Sequence, residues 1–447
     1  MAYHGGKEWH MHIVLLSGGS GKRLWPLSNE VRSKQFIKLF KREDGSLESM
    51  LQRVHRQIRS VDRNATISIA TSKTQVSAIH NQIGRDVGIS VEPCRRDTFP
   101  AIALAAAYMR DVQQVGRDEA VVVCPVDPFV DDSYFSMLDL VGQEAAKGSA
   151  NLVLLGIKPT YPSEKYGYII PETGELVSKV AMFKEKPDVE TAKRYLSEGA
   201  LWNAGVFAFR LGYLLDKAHE LIDFSDYHDL YAKYETLTKI SFDYAVVEKE
   251  IAIEVMRYEG TWKDLGTWNT LTEAMSEPVI GEGMMDESCK DVFIVNELNT
   301  PILAMGLKDI IISASAEGIL VSEREKSSAI KHYVEQLDKP IMFAEKSWGS
   351  YRILDVGEQS LTIKVVLNAG QRMHYHSHQR RDEVWTIISG TGEVIVDGKR
   401  RSVGCGDVIL LKAGVRHTIL AETELQVIEV QSGKDISVRD KIKYPLP

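Results

Sequence analysis

Gly18, Gly19 and Gly21 follow the apolar run from His12 to Leu16, and Lys22, Arg23 and Lys34 come after them. Glycines in close succession let a backbone approach a ligand and aim several N–H groups at one anion. Arginine grips a phosphate through two donors, whereas lysine acts as a point charge. The spacing lacks the GK[ST] of a P-loop and does not match a dinucleotide fingerprint. The added cations favour a phosphate site over a plain strand-to-helix turn. Two acids invite a second chemistry. Asp127 closes the run "AVVVCPVD", and Asp264 lies in "GTWKDLGTW". A carboxylate at the end of an apolar strand is costly to desolvate unless it is paired, metal-bound or capping a helix. Position alone leaves a cap and a metal ligand equally open for Asp127. Two carboxylates beside a triphosphate are what Mg²⁺ requires, since it takes oxygen ligands and retains water. A third set, His376, His378, Glu383 and His417, lies far downstream.

The elements that must position these groups fall into distinct stretches. From His12 to about Pro159, uninterrupted apolar strands alternate with amphipathic helices, as in "HIVLL" followed by "GSLESMLQRVHRQIRSV". That alternation predicts a mostly parallel sheet covered on both faces, with ligands outside the carboxyl ends of its strands. Short strands and turns between about Asp291 and Leu337 predict a β-rich connector. From about Lys346 onward, strand follows strand, which predicts an all-β barrel or sandwich. The expected segments are a leader or extended start at 1–10, an α/β domain at 11–280, the connector at 281–340 and the all-β domain at 341–447.

The 447 residues exceed what one core usually covers. A net charge of −8 argues against a dedicated nucleic-acid or membrane-surface binder, while leaving room for one basic cleft. Cys94, Cys124, Cys289 and Cys405 are far apart and form no CxxC pair, so each reads as a small buried group in a reducing compartment. No apolar run nears the ~20 residues that span a bilayer. The expected location is the cytoplasm.

The block "LSGGSGKRLWPLSNEVRSKQF" resembles the signature of sugar-1-phosphate nucleotidyltransferases, and most closely that of mannose-1-phosphate guanylyltransferases. "VEPCRRDTFPAIALAAAY", "VVCPVDPFVDD", "GIKPTYPSEKYGYI", "FKEKPDVETAKRYL", "LWNAGVFAFR", "FDYAVVEK" and "TWKDLGTW" follow in order. The resemblance implies a Rossmann-like α/β domain. It implies that Leu16, Ser17, Gly18, Gly19, Ser20, Gly21, Lys22 and Arg23 hold the nucleoside triphosphate, with Asp97 and Thr98 nearby. Lys34 would stand near the reacting phosphates, Asp127 and Asp264 would bind Mg²⁺, and Gly167, Glu185, Lys186 and Asn203 would contact the sugar or its phosphate. Arg23, Lys34 and Asp127 are the expected catalytic residues. Trp202 reads as packing. The family motif usually reads GTRLWPLSR…PKQF; here Lys22 replaces Thr, Asn29 replaces Arg and Ser33 replaces Pro.

Downstream, the order Gly370, His376, His378, Glu383, Gly390 and then His417 resembles the cupin pattern. His-x-His on a strand points both imidazoles to one face. With Glu383 and His417 they make a set suited to Zn²⁺, Fe²⁺, Mn²⁺ or Ni²⁺. The surrounding sequence resembles the isomerase domain of bifunctional phosphomannose isomerase/guanylyltransferases. Those typically carry Gln-x-His and EHW where this chain has His376-Ser377-His378 and Glu383-Val384-Trp385. Arg381 reads either as a sugar-phosphate contact or as a solvated charge.

The implied reaction joins a nucleoside monophosphate to a hexose-1-phosphate, with GTP and mannose-1-phosphate as the favoured pair. Two alternatives stand beside it. The cupin either isomerises mannose-6-phosphate and fructose-6-phosphate as well, or serves a nucleotidyltransferase of other base and sugar preference as a non-catalytic sugar-binding module. β-Sheet edges at the C-terminus leave a homodimer open.

Overall fold

The computed structural model describes residues 9–19, 21–337, 340–434, 436–437 and 439–447. Most of the expected leader (residues 1–8), and Ser20 of the expected phosphate loop, lie outside the described residues. Contacts group the chain into two bodies. One gathers the residues up to Gly19, Lys38–Val76 and Gln82–Gly266; the other gathers residues 21–37, Ser77–Asn81 and Thr267–Pro447.

The first body is built on a nine-stranded sheet: β1 (His12–Ser17), β2 (Thr66–Ser72), β3 (Gly88–Glu92), β4 (Ala120–Pro125), β5 (Leu152–Ile157), β6 (Tyr168–Pro171), β7 (Val177–Lys184), β8 (Leu201–Arg210) and β9 (Ile253–Tyr258). Their spatial order is β3-β2-β1-β4-β8-β5-β9-β7-β6. The predicted parallel arrangement runs through β3-β2-β1-β4 and recurs between β5 and β9. β8 runs antiparallel to both β4 and β5. A strand buried on both faces carries the same apolar run in either direction, so sequence does not reveal this reversal.

Helices cover the faces as their apolar spacing requires. Met50–Val61 is started by a capping box between Ser49 and Gln52, and it buries Leu51, Val54 and Ile58. Thr98–Asp111 is apolar almost all round and accordingly lies inside the core, with Ile102, Ala105 and Met109 packed against Val121, Val123 and Phe209. Register then fixes the site. Leu16 pairs with Pro125 across β1 and β4, so Gly18–Gly19 and Val126–Asp127 leave the sheet side by side.

The second body contains the connector and the barrel. Val279–Ile280, Phe293–Asn296 and Ile310–Ser315 pair in parallel, and Gly318–Glu323 adds an antiparallel edge. Val292, Ile294, Ala304 and Ile312 form its small core. The cupin is two antiparallel sheets of six and five strands enclosing Trp385, Ile387, Leu411, Ile419 and Leu425. Gly390, at φ +85°, lets a tight corner close, since a Cβ there would stand 2.0 Å from the Glu424 carbonyl oxygen. Among the described residues no helix is long and apolar enough to cross a membrane.

Candidate active site and histidine cluster

The site in the first body follows from the sheet register. Beyond β1, Gly18 and Gly19 are exposed, and Gly19 adopts φ +120°, a conformation that side chains disfavour. Arg95 donates to the Gly19 carbonyl at 2.8 Å. Leu16 is half-buried, while Ser17 is fully buried and its hydroxyl reaches Gln75 at 3.5 Å. Ser17 can therefore offer a ligand only its backbone. Asp97 caps the helix at Thr98 with φ 70°, a strained value for a non-glycine residue. The Thr98 hydroxyl accepts from Phe242 N at 2.8 Å.

Asp127 does not cap the next helix. That helix begins at Ser133, and a short strand, Pro128–Val130, intervenes. The strand pairs antiparallel with Trp262–Asp264, setting Asp264 opposite Pro128. Asp127 and Asp264, distant in sequence, thus line one cavity of about 300 Å³. Its other walls are the sugar-contact candidates Gly167, Glu185 and Asn203, joined by Lys165, Tyr166, Asp243 and Trp262. Two carboxylates on one cavity form an oxygen donor set that fits Mg²⁺.

The cavity wall is tightly set. Asn203 N donates to the Gly167 carbonyl at 2.8 Å, and a Cβ on Gly167 would stand 2.5 Å from Glu185 Oε2. Gly167→Ala should therefore displace Glu185 and raise KM for the sugar phosphate about tenfold or more, with the nucleotide KM little changed. Steady-state kinetics would check it, and an unaltered sugar KM would count against this wall as the sugar subsite. Lys186, at φ 46°, pairs with Glu185. Trp202 is buried against Tyr161 and Tyr166, the packing role expected of it.

The sequence alone does not single out Asp243 within the block "FDYAVVEK". It accepts from Asn203 Nδ2 at 2.7 Å, and Gly205 N donates to Asn203 Oδ1 at 3.1 Å, so the amide's orientation is fixed from both ends. Burial, reinforced by the charge of Glu185, raises the Asp243 carboxyl to about 7. Because the folded-state value is raised, the neutral form prevails below about 7, and the carboxyl ionises as pH rises through it. An anion there repels a phosphorylated sugar. KM for the sugar phosphate should rise between pH 6 and 8, and Asp243→Asn should flatten that rise; parallel pH profiles for the two proteins would remove Asp243 from the site.

The remaining phosphate-loop candidates lie in the second body. Gly21–Leu24 forms one 3₁₀ turn, and Lys34–Phe36 another after the buried Ser33. Arg23 is exposed, and Lys22 pairs with Glu30 at 3.3 Å.

The histidine cluster lies within the cupin. His376 stands opposite His417 across two strands, and the ligating nitrogens of His376, His378 and His417 lie within 4.8 Å of one another. Each Nδ1 meets a backbone carbonyl: His374 O at 2.6 Å for His376, Asp440 O for His378, and Val415 O at 3.0 Å for His417. A carbonyl only accepts, so each Nδ1 carries the proton and each Nε2 keeps a lone pair. Burial, with Lys441 nearby, pushes His376 down to about 2, and burial lowers His378 to about 4, which keeps both neutral. His417 Nε2 is buried with no hydrogen-bond partner among the described residues. The set fits a transition metal. Glu383 lies 3.1 Å from His378 Nε2 and 3.4 Å from His417 Nε2.

Arg381 is not the solvated charge that one sequence reading offered. It is buried and donates to Glu383 at 2.9 Å, to His378 Nε2 at 3.0 Å and to the Ser437 carbonyl at 2.9 Å. Glu429, unnoticed in sequence, is buried beside this group and bonded to Gln431 at 2.5 Å; burial and the Glu383 charge raise it to about 8.

A family model described as nucleotidyl transferase matches residues 12–278, and one described as mannose-6-phosphate isomerase C-terminal matches residues 338–444. The xanthan biosynthesis protein XanB of Xanthomonas campestris pv. campestris is 29% identical across 96% of this chain and 97% of its own. A mannose-1-phosphate guanylyltransferase of Escherichia coli is 26% identical across 97% of this chain and 98% of its own. A crystal structure of mannose-1-phosphate geranyltransferase from Thermus thermophilus superposes with a TM-score of 0.62 at 27% identity, covering 74% of this chain and all of that one.

Proposed function

The chain belongs to the nucleotidyl transferase family, and from that premise we propose that it transfers GMP from GTP to mannose-1-phosphate, forming GDP-mannose and pyrophosphate. The observation that carries this reading is the cavity on which Asp127 and Asp264 meet Gly167, Glu185 and Asn203. The names of the relatives support the substrate pair.

The chemistry follows from the residues. A phosphate oxygen of mannose-1-phosphate attacks the α-phosphorus of the nucleotide in line, and the bond to the β-phosphate oxygen breaks as pyrophosphate leaves. The nucleophile is already anionic, so no side chain need act as a base. Glu185 and Asn203, an acceptor and a mixed donor/acceptor, orient the sugar hydroxyls, while Lys165 and Lys186 meet its charge. Arg23 and Lys34, in the roles the signature implies, would stabilise the charge that gathers on the leaving phosphates. Asp127 and Asp264 would hold a magnesium ion, which when bound screens the repulsion between the two anions. The test is pyrophosphate release from GTP, CTP and UTP, each with mannose-1-phosphate and glucose-1-phosphate. GTP with mannose-1-phosphate should give the highest kcat/KM, and preference for another pair would reassign the substrates.

The histidine cluster and the isomerase-type match over residues 338–444 favour a second activity, isomerisation of mannose-6-phosphate and fructose-6-phosphate. His376, His378 and His417, with Glu383, would hold the metal, whose contribution is to polarise the sugar carbonyl. Formation of mannose-6-phosphate from fructose-6-phosphate in metal-loaded protein tests it. If no metal supports that conversion, the cupin is a binding module.

A further inference from the structure

Asn29 stands where the nucleotidyltransferase signature usually has arginine, and within the second body all of its amide capacity is used. Its Oδ1 accepts from Val31 N at 2.8 Å and Arg32 N at 2.7 Å, closing the turn between Arg23 and Lys34. Its Nδ2 donates to Glu317 Oε1 at 2.8 Å and to the Phe343 carbonyl at 3.0 Å. Glu317 lies in the turn of the connector's hairpin, and Phe343 opens the first cupin strand. The same Glu317 oxygen accepts from Met342 N at 3.0 Å and Phe343 N at 3.1 Å. One carboxylate oxygen thus joins three segments remote in sequence.

The neighbouring contacts repeat the pattern. Arg32 forms a two-pronged ion pair with Glu297 of the connector, at 2.8 and 2.9 Å, and its guanidinium lies 5.1 Å from the centre of the Phe343 ring. Ser315 donates to the Pro26 carbonyl at 2.6 Å. Gly318, at φ +148°, lies so close to the Trp25 ring that a Cβ would stand 2.5 Å from it.

We propose that Asn29 and Glu317 form a positioning node through which the connector and the first cupin strand set the loop bearing Arg23 and Lys34. Nucleotidyl transfer is then governed by residues of the C-terminal half that touch no substrate. This rests on the roles given to Arg23 and Lys34 above. Small displacements of groups that meet a transition state are costly, so the node acts on kcat and leaves the sugar KM unchanged.

The experiment compares full-length wild-type protein with Asn29→Asp, Glu317→Ala, Glu317→Gln and Arg23→Ala by pyrophosphate release from GTP and mannose-1-phosphate. Asn29→Asp keeps the oxygen that closes the turn and replaces the donor facing Glu317 with an anion, so the loop can still fold. Asn29→Asp and Glu317→Ala should lower kcat about tenfold to a hundredfold, with the sugar KM within about twofold of wild type. Glu317→Gln retains the accepting oxygen and should stay within about threefold of wild-type kcat. If Glu317→Ala loses its cooperative melt, Asn29→Asp decides. Wild-type kcat in Asn29→Asp, or a changed sugar KM at unchanged kcat, would overturn the node. Full turnover by Arg23→Ala would instead refute the assignment of the loop, a separate failure.

Discussion

Asp127→Asn should lower nucleotidyl transfer about a thousandfold while the protein still melts as a folded unit, because it removes one of two carboxylates that share the cavity. The parallel pairing of Leu16 with Pro125 places Asp127 beside the end of β1, and the ribbon pairing of Asp264 with Pro128 brings in the second acid. Neither acid is needed to terminate a helix, so the loss falls on charge stabilisation rather than on folding. Asp264→Asn should cost a comparable factor. The double variant should be little worse than either alone, as the proposal that both acids hold one ion requires. Turnover measured across a magnesium titration checks this. An asparagine variant that retained wild-type turnover at limiting magnesium would contradict the assignment of these acids.

The second large effect concerns the cupin. His376→Ala combined with His417→Ala should take bound transition metal from about one ion per chain to near zero, because three inward imidazoles are reduced to one. Each single variant should weaken binding at least about tenfold. The backbone carbonyls of His374, Asp440 and Val415 already hold every Nδ1, so the Nε2 lone pairs are oriented before any ion arrives. Arg381, which donates to His378 Nε2, must release that bond for the third nitrogen to coordinate. Elemental analysis of dialysed protein is the measurement. Unchanged metal content in the double variant would place the ion elsewhere.

The strands and helices of the first body were readable because each buried apolar run is long and bounded by glycine or proline. The reversal of β8 was not, since burial on both faces demands the same residue types in either direction. Asp127 was ambiguous by position, and only the short strand at Pro128–Val130 separates it from a capping role. Asp243 escaped notice because an acid in the first turn of a short helix reads as ordinary dipole compensation. Arg381 is charged in a polar stretch, and nothing local predicts its burial on Glu383 and His378. The least legible feature was the company kept by residues 21–37. Its determinants, Arg32 with Glu297 and Asn29 with Glu317, are single long-range pairs that leave no periodicity behind.

That company constrains how the molecule can be rebuilt. Leu24, Leu27 and Phe36 are buried, and their segment groups with Ser77–Asn81 and Thr267–Pro447. A truncation after Gly266 would strip the Trp25–Arg32 turn of the partners that seat it, inviting aggregation or proteolytic nicking there. For the same reason, a chimera that borrows the C-terminal half of a relative should borrow the eighteen residues after Gly19 with it. In this protein the practical unit of exchange is discontinuous in sequence.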